Sequence, residues 1–243
     1  MTDQSLQFPR FYVTAPSECP YIEGREERKV FTELKGPDAA PLNEALGRVG
    51  FRRSQNIAYR PACEGCAACI SVRIPVRMFA PSRGMRRILN RNRDLTGTPV
   101  ETVVTEEQYA LLNRYLSHRH AGGSMCDMSI EDYREMVEQT PVDTLLIEYR
   151  HRLTGELKGV ALTDRLSEGY SMIYSFFDAE DAKRSLGSYL ILDHVERVLQ
   201  GGYPFLYLGY WIKGSPKMSY KQRFQPLEKL GPEGWTLMDD SDI

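Results

Sequence analysis

The order of the periodic segments in the second half of the chain restricts the possible folds more than any other feature. Three segments with the alternation of β-strands, at residues 144–150, 157–166 and 170–177, follow one another with only short turns between them. An apolar stripe then predicts a helix over residues 185–200, and a further strand is predicted over 205–211. Consecutive strands followed by a helix and another strand indicate an α+β domain.

Two further helices are predicted before these strands. Residues 105–118 carry an apolar stripe, and Ser129 with Asp132 three residues later is a start signal for a helix that ends at Gln139. The order of strands, helix and strand after them is the one expected of the acyltransferase fold of the GNAT N-acetyltransferases. A likeness of fold is not by itself a sign of acetyl transfer.

The first half of the chain predicts a smaller region of different character. Strand segments at 50–59 and 70–76 flank a turn that contains three cysteines, and an apolar stripe predicts a helix over 83–95. We therefore predict two parts. Residues 1–100 form a small, cysteine-containing, arginine-rich α/β region, which packs on an acyltransferase-like domain without coenzyme A that covers residues 101–243.

Composition excludes several classes of protein. Aromatic residues make up 10% of the chain, which excludes a disordered protein. No apolar run reaches the roughly 18 to 20 residues of a membrane-spanning helix. The first ten residues include Asp3 and no apolar stretch, so we expect no secretory signal, no membrane partner and a cytoplasmic location. The net charge of −2 excludes a uniformly basic protein but not a local basic patch, and a monomer is the default expectation.

A cluster of arginines forms such a patch. The run from Arg73 to Arg93 contains seven arginines and no acidic residue. On the predicted helix, spacings of three and four residues place several of them on one side, which suits the phosphates of a nucleic acid. The alternative is a solvated helix face whose partner carboxylates lie elsewhere in the fold. The candidate phosphate-binding residues are Arg83, Arg86, Arg87 and Arg91.

The cysteine turn is a candidate metal site. Cys63, Cys66 and Cys69 follow the pattern Cys-x₂-Cys-x₂-Cys, which brings three thiols together and favours a soft metal. Cys19, which is followed by Pro20, is the candidate fourth ligand. The spacing is more typical of an iron–sulfur cluster than of zinc. Three partly buried thiols without a metal, or a redox-active pair, remain the alternatives.

The start of the helix over residues 185–200 resembles an anion-binding turn. Acetyl-CoA enzymes of this fold use a Gln/Arg-x-x-Gly-x-Gly/Ala pattern, whose backbone N–H groups hold a diphosphate. Arg184 and Gly187 fit this pattern, but Tyr189 stands where the last small residue is expected. We expect the tyrosine to crowd a diphosphate, which argues against coenzyme A.

A segment rich in aromatic and basic residues follows the last strand. Between residues 207 and 224, aromatic side chains alternate with lysines, as in sites that stack bases and pair with phosphates. The alternative is a core strand followed by a basic surface helix. The candidate residues are Tyr207, Tyr210, Lys213, Lys217 and Lys221.

These segments together resemble the bacterial aminoacyl-tRNA–protein transferases that append leucine to proteins beginning with Asp or Glu, which are relatives of the arginyl-tRNA–protein transferases. The matching stretches span nearly the whole chain and cover residues 19–34, 59–69, 177–178 with 184–187, and 207–221. The resemblance implies transfer of leucine from leucyl-tRNA to the N-terminal α-amine of such proteins. It also implies that the product is marked for degradation by the N-end rule pathway.

The chemistry implied by this resemblance needs no enzyme nucleophile and no cofactor for catalysis. The chain indeed lacks Gly-x-Ser-x-Gly, the P-loop pattern and His-Glu-x-x-His. Backbone N–H groups of Ser185 and Gly187 are expected to stabilise the oxyanion, or else the strand edge near Tyr207. Asp178 is expected to orient or deprotonate the amine, with helix capping as the alternative.

The resemblance also assigns binding roles. Recognition of an acidic side chain needs a fixed cation, and Arg60 and Arg184 are the candidates. Tyr207 and Tyr210 are the other expected substrate contacts. The tRNA is expected to bind the helix arginines together with Lys213, Lys217 and Lys221.

Three alternatives remain open. Arginyl-tRNA is the other possible donor, because Glu148, Asp164, Asp178 and Asp193 all offer a carboxylate for an arginine pocket. A CoA-dependent N-acetyltransferase on the same fold is a second alternative. A non-enzymatic RNA-binding protein with a structural metal is the third.

Overall fold

The secondary structure is mixed α/β. The computed structural model describes residues 9–119, 128–239 and 242. Its helices are α1 (Ala39–Arg48), α2 (Arg83–Arg91), α3 (Glu106–Arg119), α4 (Ile130–Glu138) and α5 (Leu186–Gln200), and 3-10 helices cover Ala182–Arg184 and Ser219–Arg223. Its strands are β1 (Tyr12–Val13), β2 (Ser17–Glu18), β3 (Glu26–Glu27), β4 (Lys29–Glu33), β5 (Arg52–Ser54), β6 (Ile57–Pro61), β7 (Cys69–Pro75), β8 (Leu95–Val100), β9 (Thr144–His151), β10 (Leu157–Leu166), β11 (Gly169–Phe177), β12 (Phe205–Ile212), β13 (Glu228–Gly231) and β14 (Gly234–Leu237).

A large sheet lies at the centre of the described chain, in the order β14-β13-β7-β12-β11-β10-β9-β8. Its neighbouring strands are antiparallel except β11 and β12. These two parallel strands pair with each other only between Gly169–Ser171 and Phe205–Tyr207. They then continue to Phe177 and Ile212 without pairing further with each other. The two strands therefore separate. We call the gap between residues 172–177 and 208–212 the splay.

Helices cover both faces of the large sheet. Alternate residues of a strand point to opposite faces, and on β10 Val160 and Leu162 belong to the apolar cluster formed with Leu111 of α3 and Tyr133 of α4. Ala161, between them, belongs to the cluster that contains the buried residues of α5 and Met85 of α2. The sheet is therefore a shared core layer between α2 and α5 on one side and α3 and α4 on the other.

A smaller N-terminal unit consists of α1 and the sheet β1-β4-β6-β5. Its own apolar cluster contains Leu34, Ala39, Leu46 and Ala58. This cluster is small, so the unit depends on its attachment to the large sheet.

A buried ion pair attaches the N-terminal unit to the large sheet. Nε and Nη2 of Arg53, on β5, donate hydrogen bonds of 2.6 and 2.7 Å to the two carboxylate oxygens of Asp164 on β10. The two residues are 4% and 0% exposed. The hydroxyl of Thr144 donates a further hydrogen bond of 2.9 Å to Asp164. This bidentate geometry fixes the position and the orientation of β5.

The elements predicted for the second half of the chain are confirmed within one or two residues, including the capping box in which Ser129 and Asp132 begin α4. In the first half, α1, β4 and β8 were not predicted. The helix predicted to reach Leu95 ends at Arg91, because the N–H group of Asn92 bonds to the carbonyl oxygens of Ile88 and Leu89 and closes the last turn. Leu95 begins a strand instead.

The large sheet crosses the boundary predicted at residue 100. β7 and β8 come from the first hundred residues, yet β7 pairs with β12 and β8 pairs with β9. Pairing, and not position along the chain, decides which sheet a strand belongs to. Among the described helices, none has the length and apolarity needed to cross a membrane.

The Arg53–Asp164 pair yields a stability prediction. Asp164→Asn leaves the Arg53 guanidinium buried without its anion, so we expect the free energy of unfolding to fall by about 3 kcal/mol. The control is Asp143→Asn, which breaks the exposed ion pair between Asp143 and Arg165 and should cost less than about 1 kcal/mol. Urea denaturation measures both values, and equal losses would contradict a special role for the buried pair.

Candidate functional site

Two cationic side chains from different parts of the chain enter the splay. Nη2 of Arg52, on β5, donates a hydrogen bond of 2.7 Å to the carbonyl oxygen of Met172, the first β11 residue beyond the paired stretch. Nζ of Lys221, from the 3-10 helix Ser219–Arg223, donates one of 2.5 Å to the carbonyl oxygen of Tyr210 on β12. The N-terminal unit and the C-terminal segment therefore meet at the point where the two parallel strands separate.

The backbone of β12 is shaped to admit Arg52. A bulge between Tyr207 and Gly209 shifts the register with β7, and Gly209 has φ of +77°. A Cβ atom at this position would lie 2.4 Å from the guanidinium carbon of Arg52. A glycine is required here both for the backbone conformation and for this close approach.

Lys221 lies in the interior. It is 6% exposed, and burial followed by the nearby charge of Arg52 lowers its pKa to about 7. The sequence places Lys221 among the tRNA contacts, but the structure does not give it the exposed position that such a contact needs. Its ammonium group donates to the carbonyl oxygen of Tyr210 and is not part of the tRNA surface.

The turn before α5 serves internal contacts. Nη1 and Nη2 of Arg184 donate hydrogen bonds of 2.8 and 2.7 Å to the two carboxylate oxygens of Asp94. These bonds are the largest cause of the lowering of the pKa of Asp94 to about 2. The guanidinium expected to recognise an acidic substrate is therefore already paired within the protein.

Gly187 and Tyr189 also take part in internal packing. A Cβ atom on Gly187 would lie 2.9 Å from the ring of Phe177, so the glycine allows this ring to cover the first turn of α5. Tyr189 is buried and packs edge-on against Tyr149 at 5.9 Å between ring centroids. The expectation that Tyr189 crowds a diphosphate is wrong, because its ring points into the core. Ser185 precedes the helix in the left-handed region, with φ of 53°.

Asp178 follows the end of β11 and carries a paired carboxylate. Its Oδ2 accepts a hydrogen bond of 3.0 Å from Nζ of Lys158, and its Oδ1 accepts one of 3.1 Å from the backbone of Glu180. Although burial raises its pKa, these two hydrogen bonds outweigh burial and lower it. Asp178 is therefore an anion at neutral pH, better suited to orient an amine than to remove a proton from it.

The two candidate tyrosines make structural contacts. The hydroxyl of Tyr207 accepts a hydrogen bond of 3.0 Å from Arg73, whose guanidinium also pairs with Glu228. The hydroxyl of Tyr210 is 2.8 Å from the carbonyl oxygen of Gly50, where it connects β12 to the N-terminal unit.

Arg60 differs from Arg184 because it is exposed. Its Nη1 donates a weak hydrogen bond of 3.3 Å to the carbonyl oxygen of Val49, and its guanidinium carbon lies 5.3 Å from the centre of the Phe51 ring. It forms no ion pair within the described residues.

The predicted arginine stripe lies on the outer side of α2. Its four members are exposed and none forms an ion pair with a carboxylate in the part of the chain that the structure describes. Arg86 and Arg91 bond to the backbone carbonyl oxygens of Pro81 and Lys183, which carry no net charge. The members are Arg83, Arg86, Arg87 and Arg91.

The second basic segment lies beside α2. Phe79, shortly before α2, stacks on Phe224, which directly follows the 3-10 helix Ser219–Arg223, with ring centroids 6.5 Å apart. Lys213 and Lys217 are exposed, and Nζ of Lys217 is 3.4 Å from the carbonyl oxygen of Pro20. The end of the second basic segment therefore contacts the loop before α2, and Lys217 reaches the N-terminal loop at Pro20.

The four candidate metal ligands, Cys19, Cys63, Cys66 and Cys69, are free thiols that lie near one another. Burial, followed by Cys63, Cys19 and Cys66, raises the pKa of Cys69 to about 11. Among the described residues, no three His, Cys, Asp or Glu side chains have an arrangement able to hold a metal ion. No step of the chemistry is derived through a metal or a cluster.

Sequence reasoning missed Arg52 as a site residue. Arg52 and Arg53 are neighbours in a predicted strand, and neighbouring strand residues point to opposite faces. This alternation indicates that at least one of the two arginines points inward. The signal was therefore present, but it does not tell which arginine finds a carboxylate.

The chain belongs to the arginine-tRNA-protein transferase family. The model of the N terminus of these transferases matches residues 17–87, and the model of their C terminus matches residues 107–231. An aspartate/glutamate leucyltransferase of Sphingopyxis alaskensis is 57% identical over 96% of this chain and 93% of its own length. Another, of Azorhizobium caulinodans, is 54% identical over 99% of this chain and 100% of its own length.

Solved structures give weaker likenesses. L-PGS from Bacillus licheniformis has a TM-score of 0.48 at 13% identity and covers 60% of this chain and 46% of its own. A tandem GNAT protein from the clavulanic acid biosynthesis pathway has a TM-score of 0.44 at 13% identity and covers 89% of this chain and 60% of its own. With TM-scores below 0.5, these likenesses carry no argument.

The buried position of Lys221 predicts a pH dependence of stability. A lysine in an unfolded chain has a pKa of about 10.4, whereas burial lowers that of Lys221 to about 7. Between these two pKa values the unfolded chain binds a proton at Lys221 that the folded protein does not bind. The free energy of unfolding therefore rises with pH over this range, because the cost of burying the charged lysine disappears. We expect Lys221→Met to raise the free energy of unfolding at pH 7 and to flatten its rise toward pH 10.

Urea denaturation at several pH values measures this effect. The control is Lys35→Met, because Lys35 is an exposed lysine whose side chain is 67% accessible. It should leave the pH profile unchanged. A destabilised Lys221→Met at pH 7 would contradict the prediction.

Proposed function

We propose that the protein transfers leucine from leucyl-tRNA to the N-terminal α-amine of proteins that begin with Asp or Glu. The observation that carries this proposal is the match over nearly the full chain to relatives named aspartate/glutamate leucyltransferases. The reaction marks the product for degradation by the N-end rule pathway. A cytoplasmic location and a monomeric state belong to the same proposal.

The reaction joins two groups that are already reactive. The amine attacks the ester carbonyl of leucyl-tRNA, a peptide bond forms, and the ribose oxygen leaves as a hydroxyl with the proton that the amine releases. An α-amine has a pKa of about 7.7 to 8.0, so a substantial fraction is neutral near pH 7.5. Positioning the two reactants can supply about 7 to 11 kcal/mol of the barrier, and one oxyanion donor about 3 to 4 kcal/mol more.

The splay is the proposed place of the reaction. β11 and β12 separate there, which leaves a gap between two strands of the large sheet for an acyl group to enter. The backbone N–H group of Ser185 donates a hydrogen bond of 3.2 Å to the carbonyl oxygen of Ala182, so of the two predicted oxyanion donors only the N–H group of Gly187 is proposed further. Asp178, an anion at the end of β11, orients the attacking amine.

The carboxylates near the core favour leucine over arginine as the transferred residue. An arginine pocket needs a carboxylate that is open to the substrate, and the four candidates in the sequence all have partners in the protein. The pairs are Glu148 with Arg150, Asp164 with Arg53, Asp178 with Lys158 and Asp193 with Arg197. A leucine side chain requires no such partner.

The turn before α5 argues against an acetyl-CoA enzyme. The guanidinium of Arg184 is bound to Asp94, and the Phe177 ring occupies the space beside Gly187. The residues that would hold a diphosphate are therefore used in internal contacts, and the proposed reaction requires no cofactor for catalysis. An iron–sulfur cluster or zinc at the four cysteines stays a prediction, which the absorption spectrum of anaerobically purified protein tests.

The proposed tRNA surface consists of the α2 arginines together with Lys213 and Lys217. An unpaired stripe of exposed arginines suits the phosphates of an RNA backbone, because each contact releases a bound counterion. Lys213 and Lys217 are exposed in the segment that follows β12 and add positive charge to this surface.

A transfer assay tests the proposed function. The protein is incubated with labelled leucyl-tRNA or arginyl-tRNA and with peptides that begin with Asp, Glu, Lys or Ala. We expect label from leucyl-tRNA on the Asp and Glu peptides alone. Transfer from arginyl-tRNA only would identify arginyl-tRNA, and not leucyl-tRNA, as the donor. Transfer from neither, with tRNA binding intact, would favour a non-enzymatic RNA-binding protein, and stabilisation by acetyl-CoA would favour an acetyltransferase.

Neutralising the stripe should weaken tRNA binding without affecting the acceptor. For Arg83→Gln with Arg87→Gln, we expect the salt dependence of tRNA binding, log K against log salt, to become shallower by about 1 to 2. The KM for the Asp peptide should not change. Arg134→Gln, at an exposed arginine of α4, is the control. An unchanged salt slope in the double variant would remove α2 from the proposed surface.

A further inference from the structure

Arg52, which is half-buried, and Lys221, which is buried, differ from the other buried basic residues of the described chain. Arg53 and Arg73 are buried beside the carboxylates of Asp164 and Glu228. Arg52 and Lys221 instead contact only backbone carbonyl oxygens in their hydrogen bonds. Neither basic group thus has an anion of its own within the described residues.

We propose that Arg52 and Lys221 form a carboxylate site that takes the side chain of the Asp or Glu at the N-terminus of the acceptor protein. This assignment rests on the proposed function, because that function supplies an acceptor with an acidic first residue. Neither residue was a candidate for this role in the sequence.

The hydrogen bonding of the pair is incomplete. Nη1 of Arg52 is buried and has no hydrogen-bond partner. A buried donor without a partner costs about 1 to 3 kcal/mol, and more when it is charged. An incoming carboxylate offers two acceptor oxygens, one for this free N–H group and one for the ammonium of Lys221.

Electrostatics points to a full anion. Burial of an unpaired cation is costly, and the other charge that acts on Lys221 is the like charge of Arg52. The carbonyl oxygen of a neutral ester carries no net charge in the ground state and does not compensate two cations. A substrate carboxylate does so on binding and lowers the electrostatic energy of the whole site.

The position of the pair fits a single acidic side chain. Arg52 lines a cleft together with Ser71, Tyr207, Gly209 and Trp235 among others, and Lys221 lies outside this lining. Since the side-chain carboxylate of Asp or Glu is only a few bonds from its own α-amine, binding it in the splay holds that amine beside the proposed position of the ester. Recognition of the side chain and alignment of the amine then come from one site.

The earlier candidates serve this role less well. Arg184 already has the carboxylate of Asp94, and Arg60 is exposed to solvent. An exposed arginine gives a weak preference because water screens its charge. Arg52 and Lys221 are less exposed to water, so they give a stronger preference for an acidic side chain.

The test compares peptides that begin with Asp and with Asn, which have nearly the same size and differ in charge. For Lys221→Met and for Arg52→Gln, we expect the ratio of kcat/KM for the Asp peptide to that for the Asn peptide to fall by about 10- to 100-fold, as for the loss of a charged hydrogen bond. Arg52→Lys should keep part of the preference. Arg165→Gln, which removes an exposed arginine paired with Asp143, is the matched control and leaves the ratio unchanged.

A lower rate with an unchanged Asp-to-Asn ratio would overturn the proposal, since it indicates stabilisation of the oxyanion for every acceptor. Lys221→Met keeps the test valid if Arg52→Gln does not fold, because it removes a buried charge.

Direct binding separates this proposal from the proposed transfer reaction. Calorimetry compares the dipeptides Asp-Ala and Asn-Ala on the wild-type protein and on Lys221→Met. A preference for Asp-Ala that disappears in the variant supports the carboxylate site even if no leucine is transferred. Equal binding of the two dipeptides by the wild type would overturn it even if transfer is observed.

Discussion

The separation of β11 and β12 after three residue pairs is the constraint on which the arrangement of the site depends. Where the strands part, their facing backbone groups lose their sheet partners and need others. Arg52 bonds to the carbonyl oxygen of Met172 on one strand, and Lys221 bonds to that of Tyr210 on the other. Two cations are therefore fixed between two rigid strands, a placement that loops alone do not provide.

The N-terminal unit contributes to this site through two neighbouring arginines with different tasks. Arg53 is held by Asp164, and this pair fixes β5 against the large sheet. Because successive strand residues point in opposite directions, fixing Arg53 also directs Arg52 into the splay. The bulge and the glycine at position 209 then leave room for its guanidinium. The contact that attaches the N-terminal unit to the large sheet thus also places Arg52 in the splay.

Charge is divided between the interior and the surface. The arginines of α2 stay exposed and without carboxylate partners among the described residues, which suits a long polyanion that binds from solvent. Lys221 is buried and Arg52 is half-buried, which suits one small anion with a defined position. The same kind of side chain therefore serves a broad surface for tRNA and a selective site for an acidic residue, because the dielectric surroundings differ.

The sequence by itself determined the local elements and the family motifs: the strand, helix and strand order after residue 140, the capping box at Ser129 and the arginine stripe of α2. These follow from periodicity and short-range hydrogen bonds, which depend on neighbours in the chain. Only the tertiary structure decided that Arg184 is paired with Asp94, that Lys221 is buried and that β8 joins the large sheet. Charge pairing and burial depend on partners far away in the sequence, and no local pattern shows which arginine or lysine will find an anion and which will lack one.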